Sequence, residues 1–498
     1  MIIVIESPYK APRLKAILRA LKIDAQIVST RGRLFDLPVD SFGITDSLEV
    51  SSLHPVDPDH FSAIQEDLLD SNLCVCTDPD DEGDFIAWTI ATYRAGKKTM
   101  RAAFQELTLD EVRRSLASAT AVSLNPPHAL ARRLFDRMLG YSSNDGMFLS
   151  RTAGAVLGAA AQLSIPTKKI IESVREKGRI LYSESYEGHG GKCKTHRQEE
   201  GFHDLPSLAH CYHLAPEIGV TPSEIFRSLQ SLYADAEISY FRTTSTALNQ
   251  AAGETLRRIE DESGFENLAR ISRDANAGSA HPGIYSTRYL DSPPDRTSTR
   301  RRREGLDEVL RRRIFNATLF AMAGQETRSI TILPHNGEAY RSISADYRGD
   351  TYSYPLTRVA LDEDIISGEP KGRPGKHSYS LHKETGIALT LINMGVGHPS
   401  SWASLANRYC CFLTKNGTLS ERGGDFLYKH QLEAPMLLEP QVAVAIEATL
   451  LDPSKTIEQK MTAALALADI PEARFERLLS PSRSADPESI FRNPGPSL

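Results

Sequence analysis

The sequence predicts a multidomain chain that opens with an α/β unit built on a doubly wound parallel sheet. Three observations carry the prediction. Short apolar, β-branched runs alternate with helix-like stretches from residue 2 to about residue 119, the order expected of a parallel sheet with crossover helices. The first and third of these runs end in acidic residues, where an open sheet of this class binds its ligands. Finally, 498 residues, 40% of them hydrophobic, suffice for roughly three or four domains with cores of their own.

The elements follow in order. Ile2-Ile3-Val4-Ile5 reads as a buried parallel strand, and Glu6-Ser7-Pro8 ends it before a helical pattern from Ala11 to Leu21. Ala25 to Ser29 reads as a strand, His60 to Asp70 as a helix and Leu73 to Thr77 as a strand. Asp78-Pro79-Asp80-Asp81-Glu82-Gly83-Asp84 then puts five carboxylates into seven residues, ahead of helical stretches from Phe85 to Tyr93 and from Thr108 to Ala119. Such crowding repels itself at neutral pH unless a cation sits among the oxygens, and Mg²⁺ characteristically takes one or two carboxylates together with waters and phosphate oxygens. A helix start also favours acids without any metal, so a solvated acidic cap is the competing reading. Glu6 stands at a strand's carboxyl end and is expected to share one crevice with the acids from Asp78 onward.

The balance of charge is −6, with a pI near 6.2. That does not exclude nucleic acid, since only a groove facing phosphate must be positive. Basic runs occur at Arg300 to Arg303, at Arg311 to Arg313 and at Arg132 with Arg133. Six cysteines form no CxxC pair, and Cys74 and Cys76 read as small buried hydrophobes of a strand. His189, Cys193, His196, His203, His210, Cys211 and His213 crowd one polar stretch with a spacing that matches no standard finger; an irregular loop is expected there, with zinc as the alternative. No signal peptide or apolar span of about 18 residues is visible, so a cytoplasmic protein is expected. Gly96-Lys97 lacks the preceding glycine of a nucleotide-binding P-loop.

Several motifs resemble one family, in the family's order. VIESPYK, ending at Lys10, is similar to the opening motif of type IA DNA topoisomerases, and CTDPDDEGDFIAW, Cys76 to Trp88, resembles their acidic toprim motif. Phe104-Gln105-Glu106-Leu107-Thr108 and ARRLFDRMLGY, Ala131 to Tyr141, resemble the segments that follow. ISYFRT, Ile238 to Thr243, resembles the active-site tyrosine motif, and Ala280-His281 the start of a later histidine motif. The order of the motifs is more specific than any one of them.

The resemblance implies a toprim sheet followed by the toroidal type IA core, as in topoisomerases I and III, without C-terminal zinc ribbons. The implied organisation is a toprim domain at 1–120 and a helical DNA-binding segment at 121–177. A β-rich arch at 178–213 and 327–393 would enclose a nucleophile domain at 214–326, with a second helical segment at 394–480 and a disordered tail at 481–498. Tyr240 would attack a DNA phosphodiester, Arg242 would hold the scissile phosphate, and Lys10 would protonate the leaving 3′-oxygen with Glu6 exchanging protons. His281 would support the phosphate network. Glu6, Asp78, Asp80 and Glu82 would hold Mg²⁺; Arg132, Arg133 and Arg242 would face DNA; zinc is not expected. The implied function is ATP-independent cleavage through a 5′-phosphotyrosine, strand passage and religation, relaxing negatively supercoiled DNA or decatenating it. Single-stranded or underwound DNA would be the partner of a nucleoid-associated monomer, with a helicase or single-strand-binding protein as a further partner and no membrane.

Departures qualify the match. Asp81 stands where the family has an arginine, Ala155 where another faces DNA, Tyr285 where a third follows the histidine motif, and Thr244 replaces an aspartate. Asp81 is expected either to alter the charge beside the phosphate or to point to solvent as a helix cap. A catalytically impaired single-stranded-DNA-binding paralogue would explain the lost arginines, and a toprim nuclease or primase would explain the acids alone.

Overall fold

The computed structural model describes residues 1–39, 41–94, 97–141, 149–162, 165–176, 179–188, 205–247, 250–263, 282–288, 305–322, 328–335, 338–347, 350–359, 375–471, 474–476 and 479. The chain divides into two compact units, one of Met1–Gly158 with Asp425–Leu498 and one of Ala159–Gly424.

The first unit opens with β1 (Ile2–Ile5), α1 (Ala11–Ala20), β2 (Gln26–Ser29), β3 (Phe35–Asp36), β4 (His54–Pro55), α2 (Pro58–Leu68), β5 (Leu73–Val75), α3 (Asp81–Tyr93), β6 (Thr99–Arg101), α4 (Leu109–Ala117) and β7 (Thr120–Ala121). Its sheet runs β2-β1-β5-β6-β7, parallel except for the β7 edge. The chain leaves β1 toward β2 on one side and returns as β5 on the other, so the boundary of β1 and β5 is the switch point where a doubly wound sheet opens its crevice. Val4 lies opposite Val75, and the Cys76 amide donates to the Val4 carbonyl at 2.6 Å. That register brings Glu6 and Asp78 to the same end of the sheet.

Alternation along the strands sends Ile2, Val4, Leu73 and Val75 to one face. There they join the core with Phe85 and Ile90 of α3 and with Leu134 and Met138 of α5 (His128–Tyr141). Ile3 and Ile5 turn to the opposite side, where α1 buries Leu14, Ile17 and Leu18 at helical spacing. Asp57 caps α2 by accepting the His60 amide at 3.0 Å, and Thr108 caps α4.

The expected strands and helices of residues 2 to 119 are present; the short pair β3 and β4 was not expected, and two further differences stand out. α3 begins at Asp81 and not near Phe85, because Asp80 caps it and carries the acids into its first turn. β6 was not expected: three residues with an arginine at the end give no apolar run.

The second unit takes in most of its length from α6 (Arg151–Gln162) to α14 (Glu421–Glu433), both of which straddle the boundary. Between them come β8 (Lys168–Glu176), β9 (Arg179–Glu187), α7 (Leu208–His213), α8 (Ala215–Ile218), α9 (Pro222–Ala234), α10 (Gln250–Ser263), α11 (Gly305–Met322), β10 (Arg328–His335), β11 (Glu338–Tyr347), β12 (Asp350–Val359), β13 (Gly375–Ser380), α12 (Lys383–Met394) and α13 (Pro399–Tyr409). The strands form two antiparallel sheets, β13-β8-β9 and β10-β11-β12. Thr221 and Glu224 close a capping box on α9, which buries Ile225, Leu229, Leu232 and Tyr233. The first unit is completed by α15 (Pro440–Leu451) and α16 (Ile457–Leu467). Among the described residues no helix is long and apolar enough to cross a membrane.

His430 of α14 ties this last segment to Ser150. Its Nδ1 lies 2.8 Å from the Phe426 carbonyl, which takes its proton, and the Ser150 amide donates to Nε2 at 3.3 Å. Burial lowers its pKa below the ordinary 6.5. A base with a depressed folded pKa contributes stability that is intact above its unfolded value and is lost as pH falls below it. Denaturant titrations at pH 7.5 and 5.5 should therefore show a loss of stability at the lower pH, and His430→Asn should flatten that dependence.

Candidate active site at the carboxyl ends of the sheet

The acid loop is shaped by its own backbone. The Gly83 amide donates to Asp80 Oδ1 at 2.8 Å, and Thr77 Oγ1 donates to the Gly83 carbonyl at 2.7 Å. A Cβ on Gly83 would come within 2.0 Å of the Asp78 carbonyl oxygen, so a side chain there would push α3 off the loop. Arg101, arriving on β6, braces the loop from outside by donating to the carbonyls of Thr77 and Asp78 at 2.8 and 2.7 Å and to Asp84 at 3.1 Å.

Asp78, Asp81, Glu82 and Asp84 each meet a cation. Lys10 ends the short 3-10 turn Pro8–Lys10 after β1 and makes a buried ion pair with Asp78, each residue 3% exposed. Arg33 reaches Glu82 at 2.8 Å, and Arg133 of α5 lies 3.9 Å from the other Glu82 oxygen while holding Asp36 through its Nε at 3.0 Å. Burial pushes the Glu82 carboxyl up to about 7; Arg33 opposes this, and the nearby Asp80, Glu6 and Asp36 add to it. These carboxylates are therefore close enough to repel one another.

Asp81 is not the solvent-facing cap that was one of its two expected courses. It pairs with Arg132, whose other nitrogen reaches Glu447 of α15 at 3.3 Å. Glu447 in turn pairs with Arg151, which reaches Asp136 at 3.1 Å. Asp80, not Asp81, is the helix cap.

Arg132 and Arg133, expected to face DNA, are thus both engaged with acids of the site. Arg33, Asp36, Arg133, Asp136, Arg137 and Tyr141 line a cavity of about 410 Å³ beside them. Sequence reasoning missed Arg33 and Arg101. Both stand at or just beyond the carboxyl end of a parallel strand, and that position is the signal that could have found them.

Every candidate metal donor here is a carboxylate oxygen, the donor type of a hard divalent cation. Glu82, whose carboxyl is pushed up to about 7 by burial and by three other acids, marks the place where such a charge would relieve repulsion. Among the described residues no three His, Cys, Asp or Glu side chains are gathered as a ready-made metal site, which fits acids drawn toward Lys10 and the arginines.

In the second unit, Tyr240 lies on an extended segment and not in a strand. Ile238 makes a single antiparallel bridge to Ser286, and Ser239 continues it by exchanging hydrogen bonds with Tyr285 through its amide and its hydroxyl, at 2.9 and 3.0 Å. A side chain takes the place of the next ladder bond, and the regular pairing stops. Tyr240 is 2% exposed with its ring edge-on to Tyr233, centroids 5.6 Å apart. Arg242 donates to Gln230 Oε1 at 2.8 Å and lies over the rings of Phe226 and Phe241.

His281 lies outside the described residues, as do His189, Cys193, His196, His203 and the tail from residue 480. His210 accepts the Ser207 amide at 3.0 Å, His213 shares a 2.8 Å hydrogen bond with the Tyr186 hydroxyl, and burial pushes the Cys211 thiol up to about 12.

Comparison with known proteins agrees with this geometry. The family model described as Toprim domain matches residues 1–107, which hold β1, β5, the acid loop and α3. The first unit thus contains a toprim domain, a metal-binding fold. Over a longer span the chain is similar to DNA topoisomerase 1 of Aquifex aeolicus (strain VF5), at 25% identity across 84% of this chain and 86% of the relative. DNA topoisomerase 1 of Thermotoga maritima is 23% identical across 81% of this chain and 72% of the relative. The solved full-length topoisomerase I from Thermotoga maritima shares the fold, with a TM-score of 0.59 and 19% identity over 96% of this chain and 90% of that one. The chain is a divergent relative of the type IA DNA topoisomerases, a family of isomerases.

The Asp81–Arg132 pair generates a prediction. Asp81→Arg should set two guanidinium groups against each other and lower stability, and adding Arg132→Asp should restore part of the loss. A double-mutant cycle by urea unfolding should give a coupling on the order of 0.5–3 kcal/mol; additive effects would show that the pair is not an electrostatic unit.

Proposed function

We propose that the chain is a type IA DNA topoisomerase that cleaves one DNA strand through Tyr240 without ATP and with Mg²⁺. The observation that carries this reading is the Lys10–Asp78 pair set beside Glu6 and the crowded Glu82 at the switch point of the toprim sheet. Tyr240 attacks the scissile phosphorus, a Tyr240 Oη–phosphorus bond forms, and the bond to the 3′-oxygen breaks. Arg242 neutralises the phosphate charge, and Lys10 donates a proton to the leaving 3′-oxygen, with Asp78 holding its amine in place and Glu6 exchanging protons. The phenol proton leaves on attack and returns on religation. The phosphotyrosine keeps the phosphodiester's free energy, so resealing needs no nucleotide.

Glu6, Asp78, Asp80 and Glu82 are the residues that would hold Mg²⁺, which when bound supplies a template for the strand ends more than an activated water. Lys10 and Arg33 hold oxygens of Asp78 and Glu82 that a divalent ion would also need, so releasing these two cations toward phosphate would be linked to metal binding. DNA, single-stranded or underwound, is the partner this chemistry needs.

A second reading, a single-strand-binding paralogue without cleavage, draws on the burial of Tyr240. Cleavage requires the segment from Ser239 onward to yield its phenol to the substrate. Incubating 5′- and 3′-labelled oligonucleotides with the protein and denaturing the mixture separates the readings. We expect a covalent adduct carrying the 5′-phosphate side, abolished in Tyr240→Phe with noncovalent binding retained. Binding without any adduct in the unmutated chain supports the paralogue.

Negatively supercoiled plasmid should relax with Mg²⁺ and no ATP. Relaxation that proceeds fully in EDTA, or that depends on ATP, contradicts this reading.

A further inference from the structure

The turn that anchors Lys10 also carries Tyr9, whose side chain is 79% exposed. Its backbone is fixed on both sides: the Lys10 amide donates to the Ser7 carbonyl at 3.2 Å, and the Lys10 side chain is buried against Asp78. A rigid turn therefore displays a large aromatic ring to solvent, three residues from Glu6.

A second exposed side chain is presented from the neighbouring strand end. After β2 the chain is stitched to β1 by Thr30 N to the Ile5 carbonyl at 2.9 Å and Gly32 N to the Glu6 carbonyl at 3.0 Å. Between them Arg31 is exposed and adopts φ 56, a left-handed conformation that an arginine takes only at a cost in free energy. Arg33, Arg101, Arg132 and Arg133 each hold an acid. Arg31 pairs with no acid among the described residues.

An uncovered ring and an uncommitted guanidinium, both on backbone tied to Glu6, are the parts from which single-stranded nucleic acid sites are made. The ring stacks on a base and the cation meets the phosphate beside it. We propose that Tyr9 is a positioning residue that stacks on one base next to the cleavage point of single-stranded DNA, with Arg31 on an adjacent phosphate. The inference rests on the topoisomerase reading for its ligand and deepens it. Stacking is indifferent to base identity, so the contact fixes the strand's placement and not its sequence.

The test uses the full chain carrying Tyr240→Phe, so that binding is measured without cleavage. A fluorescein-labelled oligonucleotide with one mapped cleavage point is made as a series, each member abasic at one position, and affinity is read by anisotropy. The unaltered Tyr9 should lose affinity at a single abasic position beside the cleavage point. Tyr9→Ala should bind the intact strand about five- to a hundredfold more weakly and be indifferent to that abasic position. Tyr9→Phe should keep both affinity and profile within about twofold. Arg31→Ala should keep the abasic profile and reduce the salt slope by about 0.7, the share of one single-strand phosphate.

Affinity and profile unchanged in Tyr9→Ala overturn the proposal, and so does a weakening equal at every abasic position. In either case an adduct at Tyr240 in the otherwise unmutated chain leaves the topoisomerase reading standing. If the chain with Tyr9 intact neither binds the strand nor forms the adduct, both readings fall.

Discussion

Mutual repulsion of carboxylates at the switch point is the constraint on which the first unit is organised. Two unit charges about 4 Å apart interact by roughly 4 kcal/mol at the effective dielectric of a protein surface, a sizeable fraction of the stability of a typical domain. Parallel pairing of β1 and β5 forces Glu6 and Asp78 together, and the helical start at Asp81 adds Asp81, Glu82 and Asp84. The answer in the fold is a ring of cations drawn from separate elements. Lys10 comes from the turn after β1, Arg33 from the loop after β2, Arg101 from β6, and Arg132 and Arg133 from α5. None of them is near the acid loop in sequence except Arg101. The tertiary structure is thus held by the same charges that the chemistry would use.

That origin explains how much of the molecule was legible. The sheet could be read because Ile2 to Ile5 and Leu73 to Cys76 are buried on both faces and so lack polar alternation. The acid loop could be read because its residues are contiguous. The cations could not, since an arginine after a strand looks like any surface arginine until register places it. The segment at Tyr240 misled for a related reason: β-branched and aromatic residues suit a strand, but strand formation needs a partner, and Ser239 spends the next position on a side-chain hydrogen bond to Tyr285. His281 and four of the seven residues of the zinc alternative, His189, Cys193, His196 and His203, fall outside the described residues, while His210, Cys211 and His213 lie in α7.

The arginines missing relative to the resembled family acquire a physical account. Ala155 and Tyr285 are both fully buried. Gly154 and Gly158 flank Ala155, and a Cβ at either would come within 2.5 and 2.0 Å of the Leu437 and Leu438 carbonyl oxygens. That stretch of α6 is a close-packing surface, where a guanidinium would lose its hydration. Tyr285 is held by its backbone against Ser239 and faces the same penalty if replaced. Two of the three departures therefore mark positions that packing has withdrawn from solvent.

Asp81 is the third departure and differs in kind. It has not removed charge from the site so much as reversed one partner and recruited the other, since the cation now arrives on α5 as Arg132 and is shared with Glu447. An arginine at position 81 would project from the first turn of α3, where the helix dipole disfavours a positive charge. An acid there is favoured by the dipole and carries its cation at one remove. The consequence is mechanical as well as electrostatic. Arg132 is held between α3 and α15, so its guanidinium is fixed by two carboxylates before any ligand arrives, and little side-chain entropy remains to be lost on binding. In this chain the placement of the cation beside the acids depends on how α5 and α15 pack against the toprim sheet, and a substitution at Glu447, 366 positions along the chain from Asp81, would loosen the same cation.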